Sequence, residues 1–280
     1  MTLDSAAPYA TPRTVPGVEA CTFYHTMDLP GVGLVEGAWD LRASPGDYLG
    51  HVDFDGKRAL DVGTATGFLC FEMERRGADV VAYDLSPDAP SWDLVPFGGW
   101  PDEAIAAERT AGLGRLNNGF WLAHAALGSR ARVVYGSVYQ LPAEIGPVQV
   151  AVLGAILLHL RDPFLALQRA LALTTETVVI TEPASRSARC LGRLPGWARL
   201  RLATDPRLPA DLGLLPNPAV GLPYETWWRL TPWATARMVQ ILGFDVVRLG
   251  FHSQTYAGQP CPMYTVVGRR RDPSAVLRHC

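Results

Sequence analysis

The stretch Asp61-Val62-Gly63-Thr64-Ala65-Thr66-Gly67 follows a short apolar run that begins at Arg58, and it precedes a helical pattern from Phe68 to Arg76. A glycine-rich turn between a buried strand and a helix brings the backbone close to a ligand and points the helix N-terminus at it. Gly63 allows the tight turn and Gly67 the close approach, whereas Ala65 predicts an ordinary backbone conformation between them. The stretch therefore predicts a nucleotide-binding strand–helix unit.

The next strand, Asp79 to Asp84, ends in a carboxylate. A carboxylate at that place can accept hydrogen bonds from both hydroxyls of a ribose. A glycine-rich turn of this kind has three alternative interpretations. An NAD-dependent dehydrogenase usually has glycine where Ala65 and Phe68 stand, and a P-loop needs a Gly-Lys-Ser/Thr sequence that is missing here. The third, an ordinary strand–helix turn with a capping aspartate, stays open.

The rest of the chain alternates strands with helices, and the last two strands have no helix between them. The further predicted strands are Arg132 to Tyr135, Val148 to Leu153, Thr177 to Thr181, Phe244 to Gly250 and Met263 to Val267, and the further helices are Asn117 to Leu127, Pro163 to Ala172 and Pro232 to Leu242. This order predicts an α/β fold with a Rossmann-like, seven-stranded, mostly parallel sheet whose last strand is antiparallel.

Two stretches interrupt that rhythm. We expect an N-terminal arm and extension over residues 1–56 and a core over 57–268, followed by a tail over 269–280. Within the core, residues 86–115 are predicted to be a long irregular lid, and residues 183–224 a cap. The cap carries six arginines among leucines, a pattern of an amphipathic helix with a solvated face or of a site for an anionic partner.

Composition narrows the class of protein. Hydrophobic residues make up 48% of the 280 residues and the formal net charge is −2, which argues against a broad electrostatic grip on nucleic acid or membrane. The five cysteines form no CxxC pair and the histidines lack ligand spacing, so we expect neither disulfides nor a metal. The apolar run from Val148 to Leu158 is too short to span a bilayer. We expect a soluble cytoplasmic monomer or homodimer.

With these motifs the chain resembles the class I S-adenosylmethionine-dependent methyltransferases. Within them it is similar to the group related to bacterial wobble-uridine tRNA carboxymethyltransferases, which includes many uncharacterised bacterial small-molecule enzymes. The segments that carry the likeness are Phe23 to Pro30 with Trp39-Asp40, Leu60 to Thr64, Glu72 to Ala78, His159 to Pro163 and Trp227 to Pro232.

The resemblance implies S-adenosylmethionine as cofactor and S-adenosylhomocysteine as product. The expected cofactor-binding residues are Asp61, Gly63, Thr64, Gly67, Asp84, Leu85, Ser137, Val138 and Gly154. Leu158 stands where the carboxymethyltransferases carry a tyrosine, and no basic C-terminal segment like theirs is present. Methyl transfer to a small molecule, perhaps best described as a secondary metabolite, is therefore favoured over tRNA carboxymethylation.

Methyl transfer needs an aligned nucleophile, exclusion of water and often a base. The catalytic candidates are His159, His25 and Glu182. The candidates for acceptor binding are Tyr24, Trp39, Trp92, Asn117 and Trp228. Alternatives on the same fold are a cyclisation such as cyclopropane formation, tRNA carboxymethylation, or a non-catalytic nucleoside-binding protein.

Overall fold

The computed structural model describes residues 8–86, 93–99 and 103–272. In chain order the strands are β1 Met27–Leu29, β2 Gly33–Val35, β3 Trp39–Asp40, β4 Arg58–Val62, β5 Asp79–Asp84, β6 Arg132–Tyr135, β7 Val148–Gly154, β8 Thr174–Pro183, β9 Gly213–Leu214, β10 Trp228–Arg229, β11 Phe244–Tyr256 and β12 Gln259–Arg270. The helices are α1 Pro45–Tyr48, α2 Phe68–Arg75, α3 Glu103–Leu127, α4 Pro163–Leu173, α5 Arg186–Leu191, α6 Gly196–Thr204 and α7 Pro232–Ile241.

Within these described ranges one large sheet has the strand order β3-β11-β12-β8-β7-β4-β5-β6. The five strands from β8 to β6 pair in parallel, and β12 pairs with β8 in the opposite direction. The predicted α/β fold, with its mostly parallel sheet and antiparallel end, is confirmed. The two-residue strand β3 adds an eighth strand to the seven that were predicted.

The chain reverses its direction of travel across the sheet at β4. It moves outward from β4 to β5 and β6, and then returns to place β7 on the other side of β4. Loops leaving β4 and β7 at their carboxyl ends must therefore separate, and open α/β sheets bind ligands in the crevice that this leaves. The glycine loop after β4 lies at that crevice.

The central strands are apolar on both faces because helices cover both faces of the sheet. Leu60, Val62 and Leu153 belong to a cluster on one face, whereas Ala59, Val150 and Val152 belong to a cluster on the other. All six side chains are at most 1% exposed. The core therefore holds the carboxyl ends of β4 and β7 in fixed positions.

The last two strands form a hairpin that is longer than predicted. Strands β11 and β12 are joined through Ala257 and Gly258, both with positive φ, which is the geometry of a tight two-residue turn. The end of β11 pairs with β3, so the N-terminal extension is fixed to the tip of this hairpin. The order of polar and apolar residues at the tip of the hairpin does not predict a strand, so the predicted strands end short of it.

The prediction of an irregular segment over residues 86–115 is wrong for residues 103–115, which belong to the 25-residue helix α3. The first half of α3 is mostly exposed and includes Gly112 and Gly114, so the sequence has no apolar stripe there that would predict a helix. The helix continues because its second half is anchored: Arg115 donates to the Cys21 carbonyl at 2.7 Å and Asn118 to the Ala20 carbonyl at 2.9 Å.

Candidate functional site

In the glycine loop every second residue has a left-handed backbone conformation. Gly63, Ala65 and Gly67 all have positive φ, of 77°, 49° and 88°. The expectation of an ordinary conformation at Ala65 is therefore wrong. The physical reason is a tertiary bond: the Ala65 N–H donates to a carboxylate oxygen of Asp84 at 2.6 Å, which offsets the roughly 1–2 kcal/mol that a left-handed alanine costs.

Space as well as conformation requires the two glycines. A Cβ at Gly63 would lie 2.4 Å from Cδ1 of Ile156, and a Cβ at Gly67 would lie 2.5 Å from the ring of Phe71 and 2.9 Å from that of Phe120. Helix α2 begins directly after Gly67, so its N-terminal amides open toward the crevice.

Asp84 ends β5 and connects it to the glycine loop. One carboxylate oxygen accepts from the Leu85 N–H at 2.7 Å and the other from the Ala65 N–H. Burial raises the pKa of Asp84 to about 6, and the two backbone donors oppose that rise. Asn117 donates to the Leu85 carbonyl at 3.2 Å, and the Gly136 N–H donates to the Asp84 carbonyl at 2.9 Å. The carboxylate is therefore held at the end of its strand.

Asp61 lies within β4 under the same loop. One of its oxygens accepts from the Thr64 hydroxyl at 2.8 Å, and the backbone N–H of Cys70 contributes a further hydrogen bond. Burial raises the pKa of Asp61 to about 7, and the charge of Asp84 adds to that rise. Asp61 and Asp84 form the floor of the crevice, and two neighbouring carboxyls there favour a positively charged ligand.

The turn after β6 is built on Gly136. Its missing side chain leaves room for the hydroxyl of Tyr83, which a Cβ would approach to 2.5 Å and which donates to the Ser137 carbonyl at 2.9 Å. The Ser137 hydroxyl oxygen accepts from the Tyr139 N–H at 3.4 Å, and Val138 is buried. The predicted Ser137–Val138 turn therefore stands beside the end of β5.

The segment after β7 turns sharply at Gly154 and Ala155. Ala155 has φ 50°, and its N–H donates to the Thr181 carbonyl of β8 at 2.7 Å. A Cβ at Gly154 would lie 3.0 Å from Cε1 and 3.1 Å from the hydroxyl of Tyr48. Tyr48 comes from α1 of the N-terminal extension and is 3% exposed. The extension therefore closes directly onto the carboxyl end of β7.

Glu182 lies near the carboxyl end of β8 and is 1% exposed. Its Oε1 accepts from the Leu157 N–H at 3.0 Å, whereas Oε2 is buried and has no hydrogen-bond partner among the described residues. Burial raises the pKa of Glu182 to about 8, and the backbone N–H groups of Leu157 and Leu158 oppose the rise. At neutral pH the group is a carboxylic acid that can donate a proton.

His159 ends the short 3-10 turn after β7. Its Nδ1 lies 2.6 Å from the Glu225 carbonyl, which can only accept, so Nδ1 carries the proton and Nε2 is left as the basic nitrogen. Burial lowers the pKa of His159, so the ring is neutral near pH 7. This is the tautomer that a general base needs.

His25 is held against the glycine loop. The Thr66 hydroxyl oxygen accepts from the His25 N–H at 3.1 Å and lies 3.2 Å from Nδ1. The ring also contacts Tyr24 and Phe68 at centroid distances of 5.2 and 6.0 Å. Burial lowers the pKa of His25 to about 3, which keeps it neutral. In this position the side chain links the extension to the cofactor loop.

Tyr24 and Trp39 lie together at the end of the long hairpin. The Trp39 side chain hydrogen-bonds the Tyr24 hydroxyl, and its ring lies 4.8 Å from that of Tyr256. Burial raises the pKa of Tyr24, and the charges of Glu225 and Glu182 add to the rise. Tyr24 therefore stands near both Glu182 and the segment that holds His159.

The two predicted insertions meet near His159, where the Val95 N–H donates to the Tyr224 carbonyl at 2.9 Å, next to the Glu225 carbonyl that holds His159. The Asp93 carboxylate accepts from the Tyr139 hydroxyl and from the Arg161 N–H, the latter at 2.9 Å, and the Asp93 carbonyl accepts from the indole N–H of Trp227. Trp228 donates to the Arg161 carbonyl at 3.2 Å. The predicted acceptor residue Trp92 lies outside the described residues.

Some residues of this region were missed by sequence reasoning. Arg109 of α3 forms an ion pair with Glu225 and a hydrogen bond with Tyr224. Tyr48, Ile156 and these three residues carry no motif or spacing, because tertiary folding alone brings them to the site. The Pro-Gly pair before Tyr48 marks a turn, but nothing in it indicates that the tyrosine faces Gly154.

One groove of the structure lies outside this site. It has a volume of about 600 Å³ and lies along the outer face of α2, between Met27, Phe68 and Leu127. Among the described residues no three His, Cys, Asp or Glu side chains gather as a metal site would require. In that same part of the chain, no helix combines the length and the apolar character needed to cross a membrane.

Comparison with known sequences assigns this arrangement to a family. The chain matches the methyltransferase domain family over residues 41–248. The chain belongs to this family. The expected class I methyltransferase fold is thereby confirmed, whereas the narrower likeness to wobble-uridine tRNA carboxymethyltransferases stays a prediction. The methyltransferase matches no curated protein sequence.

The fold is also found in a solved structure. The N-terminal domain of EvdMO1, solved with S-adenosylhomocysteine, aligns with this methyltransferase at 17% identity and a TM-score of 0.50, over 90% of this chain and 93% of that one. The Burkholderia thailandensis 1,6-didemethyltoxoflavin-N1-methyltransferase, solved with 1,6-didemethyltoxoflavin and S-adenosylhomocysteine, aligns at 18% identity and a TM-score of 0.48, over 83% and 78%.

Proposed function

We propose that the chain transfers the methyl group of S-adenosylmethionine to a small-molecule acceptor, with the cofactor in the crevice at the carboxyl ends of β4, β5 and β7. The observation that carries this proposal is the direct bond between the strand-end carboxylate Asp84 and the glycine loop at Ala65. It supports the proposal because a carboxylate that could accept from a ribose stands beside the glycine loop, within a chain of the methyltransferase domain family.

Asp84 keeps the capacity to bind a ribose. Each carboxylate oxygen has two acceptor sites, and the Leu85 and Ala65 amides use one on each. The remaining site on each oxygen can accept one ribose hydroxyl. Beside it, the buried Val138 and the capped turn at Ser137 suit an adenine ring, which needs apolar surface and a few backbone partners.

The charge of the floor suits a sulfonium. S-adenosylmethionine carries a positive sulfur and an ammonium group, and Asp61 and Asp84 are two carboxyls whose pKa values are raised by burial. A nearby cation favours the ionised form of both groups. Product S-adenosylhomocysteine lacks the sulfonium charge, so the floor holds it less strongly.

His159 is the proposed base. With its proton held at Nδ1 by the Glu225 carbonyl, Nε2 takes the proton of an acceptor hydroxyl while the acceptor oxygen forms a bond to the methyl carbon. The carbon–sulfur bond breaks and its electron pair stays on sulfur, which gives S-adenosylhomocysteine. We assign His25 to the wall of the cofactor loop, since its ring already contacts Thr66.

Glu182 is proposed to orient the acceptor. As a neutral acid with Oε2 buried and unpartnered within the described chain, it can donate to an acceptor oxygen next to the one that is methylated. Tyr24, Trp39 and Trp228 are proposed as acceptor contacts, and Asn117 as a support for the cofactor strand. Trp39 and Glu182 are buried, which favours a compact acceptor over RNA.

The experiment measures S-adenosylhomocysteine release with S-adenosylmethionine and a panel of small hydroxylated and nitrogen-containing acceptors. His159→Gln is expected to lower turnover by about 10²- to 10⁴-fold, the usual contribution of general acid–base catalysis, while leaving cofactor affinity unchanged. His51→Gln is the matched control because His51 is exposed and pairs with Asp47. Turnover that is equal in wild type and H159Q would remove His159 as the base.

A further inference from the structure

The cap insertion differs from the rest of the surface in its arginines. Over residues 184–222 the sequence holds six arginines and two aspartates, with no lysine or glutamate, in a chain of net charge −2. Four of these arginines are exposed, and no carboxylate of the described chain lies within ion-pair distance of them. They are Arg189, Arg193, Arg201 and Arg207.

Several arginines outside the cap are paired with carboxylates. Arg42, Arg75, Arg76, Arg132 and Arg271 each form an ion pair with a nearby aspartate or glutamate. Within the described part of the chain the four exposed cap arginines have no carboxylate partner, so their charge remains available to an anionic partner.

Apolar side chains are exposed on the same insertion. Trp197 is 71% exposed, and Leu194 and Leu202 are each 37% exposed. Helix α6 buries Ala203 and packs Leu200 against the core, so its opposite side faces solvent. Trp197 and the exposed Arg201 are four residues apart on α6, which makes them neighbours on that side.

We propose that the solvent-facing side of the cap, defined by Arg193, Leu194, Trp197, Arg201 and Leu202, docks onto an anionic lipid surface. Interleaved arginines and large apolar residues on one helix face are typical of helices that lie in a membrane interface, where tryptophan is also favoured. The net charge of the cap complements the negative surface of anionic lipids. Nucleic acid would bind the arginines through its phosphates, but it would leave Trp197 and the leucines exposed to water.

The cap is connected to the proposed catalytic base. The insertion that carries α6 continues into Glu225, whose carbonyl holds His159. Docking would therefore hold the insertion that leads to His159 at a lipid surface, where an acceptor dissolved in lipid is found. This last step rests on the proposed function, whereas the docking itself does not.

The test is co-sedimentation of the full chain with vesicles of phosphatidylcholine alone and with about 30 mol% phosphatidylglycerol. Binding is expected only to the anionic vesicles and to weaken with salt. Arg193→Ser with Arg201→Ser is expected to weaken binding by roughly 25-fold, about fivefold for each arginine. Trp197→Ser is expected to weaken it by about tenfold or more. Thermal unfolding confirms that each variant is folded.

Arg130→Ser and Leu34→Ser are the matched controls, because both residues are exposed and lie outside the cap. Equal binding to neutral vesicles, or unchanged binding of the cap variants, overturns the proposal. So does a gel shift of RNA, or self-association in solution, that the same cap substitutions abolish while vesicle binding is absent. Calorimetry with S-adenosylmethionine on the same samples tests the proposed function separately.

Discussion

Gly136→Ala tests the turn after β6, where we place the adenine. The glycine has no positive φ, so the substitution acts through space alone. The new Cβ would lie 2.5 Å from the Tyr83 hydroxyl oxygen, more than 1 Å inside normal contact. Tyr83 is 1% exposed, so its ring has little room to move.

The magnitude follows from two losses. Forcing an extra methyl into a packed site costs about 1–3 kcal/mol. Displacing the Tyr83 hydroxyl also breaks its 2.9 Å hydrogen bond to the Ser137 carbonyl, which is worth about 1 kcal/mol. We expect Gly136→Ala to lower the free energy of unfolding by about 2–4 kcal/mol and to weaken S-adenosylmethionine binding, since Ser137 and Val138 shift with the turn.

Tyr83→Phe provides the control, because it removes the atom that the new Cβ meets. In the double variant only the lost hydrogen bond, about 1 kcal/mol, remains, so we expect the two substitutions to couple favourably by about 2–4 kcal/mol in denaturant unfolding of all four proteins. Additive effects, or a neutral Gly136→Ala, would refute the reasoning about this turn.

Three further predictions concern buried polar groups. Burial raises the pKa of Glu182 to about 8 from its ordinary 4.5, so the folded chain binds that proton more tightly, and its contribution to the free energy of unfolding falls as pH rises from about 5 to 8. Glu182→Gln should flatten that fall in denaturation measured across the window; an unchanged slope would contradict a neutral Glu182. Thr66→Val should cost about 1–3 kcal/mol in thermal unfolding by orphaning the His25 N–H, with Thr66→Ser near wild type; equal losses would point to packing instead. Because burial raises the pKa of Asp61 to about 7 and of Asp84 to about 6, calorimetry should show S-adenosylmethionine affinity falling from pH 8 to pH 6, more steeply than S-adenosylhomocysteine affinity; parallel curves would argue against a sulfonium over this floor.

The cofactor side of the site was predictable because its signals are local. A glycine turn between an apolar strand and a helix, and an aspartate at the next strand end, follow from backbone geometry and strand burial. The antiparallel end of the sheet was predictable from the missing helix between the last two strands. In each case neighbouring residues along the chain determine the structure.

The remaining features depend on contacts distant in sequence. The conformation of Ala65 is set by Asp84, and the helix that replaces half of the predicted lid is anchored through Arg115 to the N-terminal extension. Tyr48 reaches Gly154 only because α1 folds over the sheet. No periodicity or spacing encodes such contacts, so the acceptor side of the site could not be derived from the sequence.

The central claim is that the crevice at the carboxyl ends of β4, β5 and β7 binds S-adenosylmethionine through Asp84 and the glycine loop. Isothermal titration calorimetry of the full chain, with Asp84→Ala and the exposed control Asp245→Ala, tests it most directly. We expect one cofactor per chain with an affinity at or below tens of micromolar, a loss of about 10- to 100-fold in Asp84→Ala, and no change in Asp245→Ala. Absence of binding to the wild-type chain, or equal binding by Asp84→Ala, would contradict the claim.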